Sequence, residues 1–461
     1  MTDLTRKMTW LASGLFGLVL AAFLFLHATQ PIANADFWWH LKSGETMVQQ
    51  QGLLHTDPFT FRGEGEPSAR ETIILKGYWL WQVTAYGLYA LLGFNGIFLL
   101  NLLTVGIIAA VLVQQMRRHA VSWTVAAPLL AAGFYLLRGY TLERPQIVSF
   151  LFAVILLGLL RDVRNGGRLT WTLPATMALW ANLHGGFVVG DILLGCFAVG
   201  VVCEYRRDLP RMKHLLLWSL AGIGASLLNP TGALALIEVV RFVGTPIQTG
   251  IIEYKSTWEV FNEGNRLVIL LWVLIGLYAL GIAVNRRIHW PELLSALFLA
   301  WFSVSYQRNV AFFALAMLPT IGLTWQEATR HRSWRFPAAL GPLVIGVTAI
   351  LLILPVKEQW PQRQFAVKVA PIYPEAAIGF LEKSGLAGRM FNSYEYGGYL
   401  LWRLAPKMKV FVDGRGIDEN TYDHYQKIRT ASQTPVNGRS EYETLLDEYG
   451  IDYVIQPIYD G

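Results

Sequence analysis

Apolar runs long enough to cross a bilayer decide what this chain can fold into. Leu11–Leu26, Ile97–Val113, Leu267–Val284 and Leu340–Leu354 approach the ~20 residues a transmembrane helix needs. Charge is scarce to match. Only 15% of the residues are Asp, Glu, Lys or Arg, against about 25% in soluble domains. The sequence therefore reads as an α-helical polytopic membrane protein. Its net charge of +6 records orientation rather than nucleic-acid binding, because basic residues collect in cytoplasmic loops.

Lys and Arg cluster at Arg6/Lys7, Arg117/Arg118, Arg161/Arg164/Arg168, Arg206/Arg207/Arg211/Lys213, Arg286/Arg287 and Arg330/Arg332/Arg335. Placing all of these in the cytoplasm makes the intervening spans run out and back in pairs. The spans fall near 8–29, 93–115, 120–138, 146–161, 171–187, 188–204, 214–228, 266–285, 291–306, 309–326 and 336–355. That is about eleven by the length criterion, with the N-terminus inside and the C-terminus outside. "HATQPIANAD" offers no small-residue cleavage site, so the first run reads as a retained span. "YWLWQVTAYGLYALLG" is short and aromatic, which suits a helix lying in the interface. The loop 30–93 is then outside. Cys196 and Cys203 share one apolar run, roughly 10 Å apart along a helix, too far for a disulfide, and read as packing residues.

Beyond Val356 the composition turns polar. Turn signals such as "VDGRGIDEN" and "TPVNGRS" separate short β-rich runs ("RMFNS", "KVFVD", "DYVIQ") from helical ones ("PEAAIGFLEKSG", "GGYLLWRL", "SEYETLLDEYG"). The division expected is a transmembrane domain over 1–355 and an extracytoplasmic α/β domain over 356–461.

This topology gathers unusual polar residues on the outer face. Asp36 and His40 ("ANADFWWHLKSGE") follow the first span; Arg138, Glu143 and Arg144 link the third and fourth; Asn182 and His184 turn between the fifth and sixth. Asn229 follows the seventh, Glu253 and Lys255 precede the eighth, and Arg308 and Asn309 lie between the ninth and tenth. The inner loops read as basic or bland. Each residue alone has a local reading: Asp36 as a helix cap, Trp38 and Trp39 as an aromatic belt, Glu143 as an ion pair with Arg144, Arg308 as a snorkelling side chain. Together they suit a different chemistry. Ionisable groups at membrane depth are costly unless paired or hydrated and tend to mark function. A carboxylate can take a proton from an attacking hydroxyl or amide while cations stabilise a departing phosphate.

At these residues the chain resembles the GT-C superfamily of integral-membrane glycosyltransferases, and distantly the oligosaccharyltransferase catalytic subunit. The resemblance implies a polyprenyl-phosphate or -pyrophosphate sugar donor, a glycan, lipid or protein acceptor, and an inverting displacement. It puts Asp36 in the position of the Asp after the first span, Glu143 in the second acidic motif and Glu253 in a later outer loop. Arg308, opening "RNVAFFALAMLP", is similar to the Arg that meets the lipid phosphate, with Lys255, Arg144 and His184 as helpers. Trp39 and His40 fall in the aromatic loop. Glu395 and Tyr396 in "FNSYEYGGYLLWRL" echo the WWDYG motif without its tryptophans, a departure from the form that reads the peptide acceptor in oligosaccharyltransferase. A divalent metal (Mg or Mn) held by Asp36 and Glu143, or a Glu143 that only orients a cation, both fit. The expected location is a bacterial inner membrane. A transporter or flippase, and a scaffold presenting the C-terminal domain, are the other readings. "VDGRG" reads as a turn whose Asp413 and Arg415 could touch an acceptor.

Overall fold

The computed structural model describes residues 3–61, 67–242, 252–331, 340–359, 368–436 and 438–457. Arg332, Arg335 and the first residues of the 336–355 run lie outside them. Two compact units divide the chain. One comprises Met1–Gln30, Phe98–Asn229 and Ile251–Ala366; the other comprises Pro31–Ile97, Pro230–Gly250 and Val367–Gly461. Composition alone divides the chain at 355/356. In the structure the first loop groups instead with the C-terminal segment.

The first unit is helical. Asp3–Ala28, Phe94–Arg118, Gln146–Arg164, Phe187–Tyr205, Val268–Asn285 and Leu340–Lys357 are each long and apolar enough to cross a membrane. A bent pair, Gln307–Ala316 with Leu318–Arg330 at 45°, makes a seventh. Pro319 explains the bend: it donates no backbone hydrogen bond, and its ring crowds the carbonyl four residues earlier. The other runs fold as helices of 12–18 residues, Trp123–Leu137, Thr172–Leu183, Leu209–Ser226 and Trp290–Ser305. Leu217, Leu220, Leu280, Leu343, Ile350 and Leu351 stand exposed on these helices. So much unpartnered apolar surface is unstable against water and is covered by lipid tails. The chain is a multi-pass helical membrane protein. Cys196 and Cys203 are free thiols, and Cys203 is exposed rather than packed.

The basic side of this unit is less bland than its loops read. Arg164 bonds Glu292 at 2.5 Å and lies 3.9 Å from Glu204, and Glu204 is 3.6 Å from His289. Arg161 donates to Thr320 Oγ1 at 2.5 Å. These residues come from four different helices, so spacing along the chain could not disclose the network. Removing one member of a buried pair costs about 3–5 kcal/mol, because the other charge is left uncompensated. Glu292→Ala therefore lowers unfolding stability by about that amount, read in a denaturant titration of the purified protein. An unchanged midpoint would remove the network from the stability of this unit.

In the second unit the helix Ala35–Gln50 packs against Trp79–Leu92 and Tyr394–Leu404. Strand Arg389–Asn392 pairs in parallel with Ile451–Ile455, Asn392 opposite Ile455. Backbone bonds join the first loop to the C-terminal segment: Ile32 N–H to Lys368 O at 2.8 Å, Ala370 N–H to Ile32 O at 3.0 Å, and Val410 N–H to Phe59 O at 2.9 Å. "KVFVD" is not a strand. Val410 makes a single bridge to Thr60, and the Asn392 side chain captures the next amide, Phe411 N–H, at 2.8 Å. Phe391, Phe411, Val412, Tyr425, Ile428 and Leu445 form the core beneath.

Candidate functional site

In the first unit, the connection between Trp123–Leu137 and Gln146–Arg164 carries Tyr140, Glu143 and Arg144. It lies at the opposite end of Gln146–Arg164 from Arg161 and Arg164, roughly 25 Å away at 1.5 Å per residue. Arg144 Nη1 donates to Glu253 Oε1 at 2.6 Å, and Arg308 Nη1 lies 3.8 Å from Glu253 Oε2. Two guanidinium groups thus share one carboxylate. The Arg308 guanidinium also lies over the Tyr254 ring at 4.6 Å, which holds its plane.

The backbone around Arg308 is pinned from three sides. Gln146 Nε2 donates to Arg308 O at 2.8 Å, the Tyr140 hydroxyl donates to Gln307 O at 2.7 Å, and Gln307 N–H donates to Lys255 O at 2.8 Å. Burial by itself raises the Glu253 pKa, but Arg144 and Arg308 outweigh it and hold the carboxyl below its usual range. Glu253 is therefore a carboxylate at neutral pH.

Two nominated helpers turn out differently. Lys255 Nζ reaches away to Glu263 at 2.5 Å, a pairing that the eight-residue separation hid. His184 Nδ1 accepts from Gly186 N–H at 3.0 Å and from the Ser149 hydroxyl at 2.6 Å, while Ser149 accepts from Trp180 Nε1 at 2.8 Å. An imidazole whose Nδ1 accepts is neutral, so His184 shapes the turn and supplies no positive charge. Glu143 is buried. Asn182 and Asn229 hold helix-end carbonyls, of Leu228 and Ser226 respectively.

In the second unit, Asp36 opens the Ala35–Gln50 helix, where Asn34 caps its backbone N–H at 2.9 Å. The cap role considered for Asp36 thus belongs to Asn34. The Asp36 carboxylate accepts from Trp39 Nε1 at 3.2 Å. Three sequence segments close around this point. A Cβ at Gly414 would overlap Asp36 Oδ1, one at Gly398 would overlap Ala35 O, and one at Gly397 would overlap Val412 O. Tyr394 donates to Gly414 O at 3.1 Å. Burial, then the charges of Asp36 and Asp413, raise its pKa, so the phenol keeps its proton.

Tyr394, Gly398 and Gly414 are the neighbours of Asp36 that the sequence reading missed; the paired glycines after "SYEY" were the available signal. Glu395 is exposed and Tyr396 half-buried. His40 is buried, its ring tilted against Trp39 and its Nδ1 accepting from Gln82 Nε2 at 3.0 Å; with Trp39 it forms structure around the acid. Arg415 is fully buried between Asp57 at 2.7 Å and Asp413 at 2.6 Å. It ties the loop after Asp57 to the "VDGRG" turn and is not available to an acceptor.

A divalent cation requires several oxygen-rich donors. Among the described residues no three His, Cys, Asp or Glu side chains gather to hold one.

What fold and side chains define is a multi-pass helical membrane protein with an arginine–carboxylate cluster at the ends of its helices. No family model matches the chain, and no curated protein matches it.

Proposed function

We propose that this protein is a GT-C-type glycosyltransferase that moves a sugar from a polyprenyl-phosphate or -pyrophosphate donor to an acceptor on the extracytoplasmic face. In this proposal the chain crosses a bacterial inner membrane eleven times, with the N-terminus cytoplasmic. The observation that carries the reading is Arg144 and Arg308 converging on Glu253. Arg forks match phosphate oxygens in bidentate fashion, and a carboxylate shared by two of them occupies the place an anionic ligand would take. Glu253 keeps the pair assembled and yields to a phosphate bearing more charge.

The reaction follows from those groups and from a general base. A lone pair of the acceptor nucleophile attacks the anomeric carbon from the face opposite the phosphate. The new bond forms as the anomeric C–O bond breaks, and the phosphate leaves with that electron pair, its charge met by Arg308 and Arg144. The acceptor's proton passes to a carboxylate acting as general base, the role that the GT-C resemblance gives Asp36. One displacement inverts the anomeric centre.

The test is turnover. Purified protein in lipid nanodiscs, given polyprenyl-phosphate sugars labelled in the sugar, transfers label to a glycan, lipid or peptide acceptor, and Arg308→Ala raises the donor KM with the acceptor KM unchanged. Absence of transfer from every donor, or an Arg308→Ala variant with native donor kinetics, overturns the reading.

A further inference from the structure

The second unit carries a cavity of about 200 Å³ that none of the chemistry above uses. Phe61, Tyr422 and Tyr449 supply aromatic surface to it, and Thr60, Thr421 and Asp418 supply hydroxyl and carboxylate groups. We propose that this cleft binds one neutral carbohydrate ring, the terminal sugar of a glycan acceptor.

Sugar rings combine apolar C–H faces with hydroxyl edges. Aromatic rings, negative at their faces, take the former, and carboxylates and hydroxyls accept from the latter. Charge balance selects against ionic ligands. The Asp413 carboxylate in the wall is consumed by Arg415. Arg70 Nε donates to Gly416 O in the wall at 2.8 Å, and the Arg389 guanidinium lies 5.7 Å from the Phe61 ring centre. The lining is therefore neither a cationic cradle for phosphate nor an anionic cage for an amine. The volume is below the ~300–1,000 Å³ of sites for drug-sized ligands and suits one ring. The acceptor role rests on the transferase reading, whereas the binding itself does not.

The experiment uses saturation-transfer NMR on the full chain in lipid nanodiscs, with methyl glycosides of glucose, galactose, mannose and N-acetylglucosamine as probes. Tetramethylammonium and inorganic phosphate serve as ionic counter-probes. At least one glycoside receives saturation, and the signal falls fivefold or more in Asp418→Asn and in Tyr422→Leu. Asn preserves the helix cap that Asp418 gives Thr421 N–H at 2.9 Å, since Asn and Asp cap equally well. Polyprenyl-phosphate binding is unchanged in both variants.

No saturation of any glycoside overturns the proposal, as does a signal indifferent to both substitutions. So does an ionic probe whose binding is lost in the variants. Glycoside binding that is lost in the variants of a protein without donor binding would leave the cleft a sugar site and discard only the transferase reading.

Discussion

On the proposed transferase reading, Asp36→Asn lowers kcat/KM for sugar transfer by about 10²–10⁴-fold, the usual contribution of a positioned general base. The substitution is close to isosteric. The amide oxygen still accepts from Trp39 Nε1, now held at 3.2 Å by the carboxylate, and Asn34 still caps the helix. What is lost is the ability to take a proton. Steady-state transfer kinetics, beside circular dichroism of the same preparation, separate the two effects. Native turnover in Asp36→Asn would remove Asp36 from the chemistry. Gly414→Ala serves as a geometric control, because its new Cβ would overlap Asp36 Oδ1 and must displace either the turn or the acid.

Arg415→Ala destabilises the second unit by about 3–5 kcal/mol, the cost of stranding buried charges. The Arg415 side chain is 0% exposed, and its partners Asp57 and Asp413 are 1% and 2% exposed. Burial raises the Asp57 pKa, and Arg415 overrides it, so the folded value lies below the unfolded one. The sign follows from linkage. Stability from this pair is complete above the unfolded Asp pKa of about 3.9 and is lost as pH falls through the lower folded value. Tryptophan fluorescence during acid titration therefore shows a transition below about pH 4 that Asp57→Asn moves. A midpoint insensitive to both Arg415→Ala and Asp57→Asn would show that the triad does not hold the turn.

The helices were legible in the sequence because an apolar run of membrane length leaves the backbone no alternative to internal hydrogen bonding. Strands Arg389–Asn392 and Ile451–Ile455 were legible from β-branched and aromatic runs between turn signals, whereas "KVFVD" misled, because Asn392 and Phe59 take its amides. Arg144, Glu253 and Arg308 could each be nominated as an oddly placed charge. That they form one cluster depends on contacts between distant residues, Arg144 and Glu253 lying 109 positions apart, which local spacing does not encode. Lys255 misled for the opposite reason, since a nearer partner, Glu263, wins it. His184 misled because a backbone amide, Gly186 N–H, settles its tautomer. The surroundings of Asp36 escaped notice because glycines at 398 and 414 act by what they lack, which only the facing backbone reveals.

Whether Arg144 and Arg308 form the proposed anion cradle for a lipid phosphate is decided by the binding of a polyprenyl monophosphate to the purified protein, without acceptor, in wild type and in the Arg144→Ala/Arg308→Ala double variant. The wild type binds saturably, and the affinity falls at least tenfold in the double variant. Equal affinity in the two proteins would contradict it.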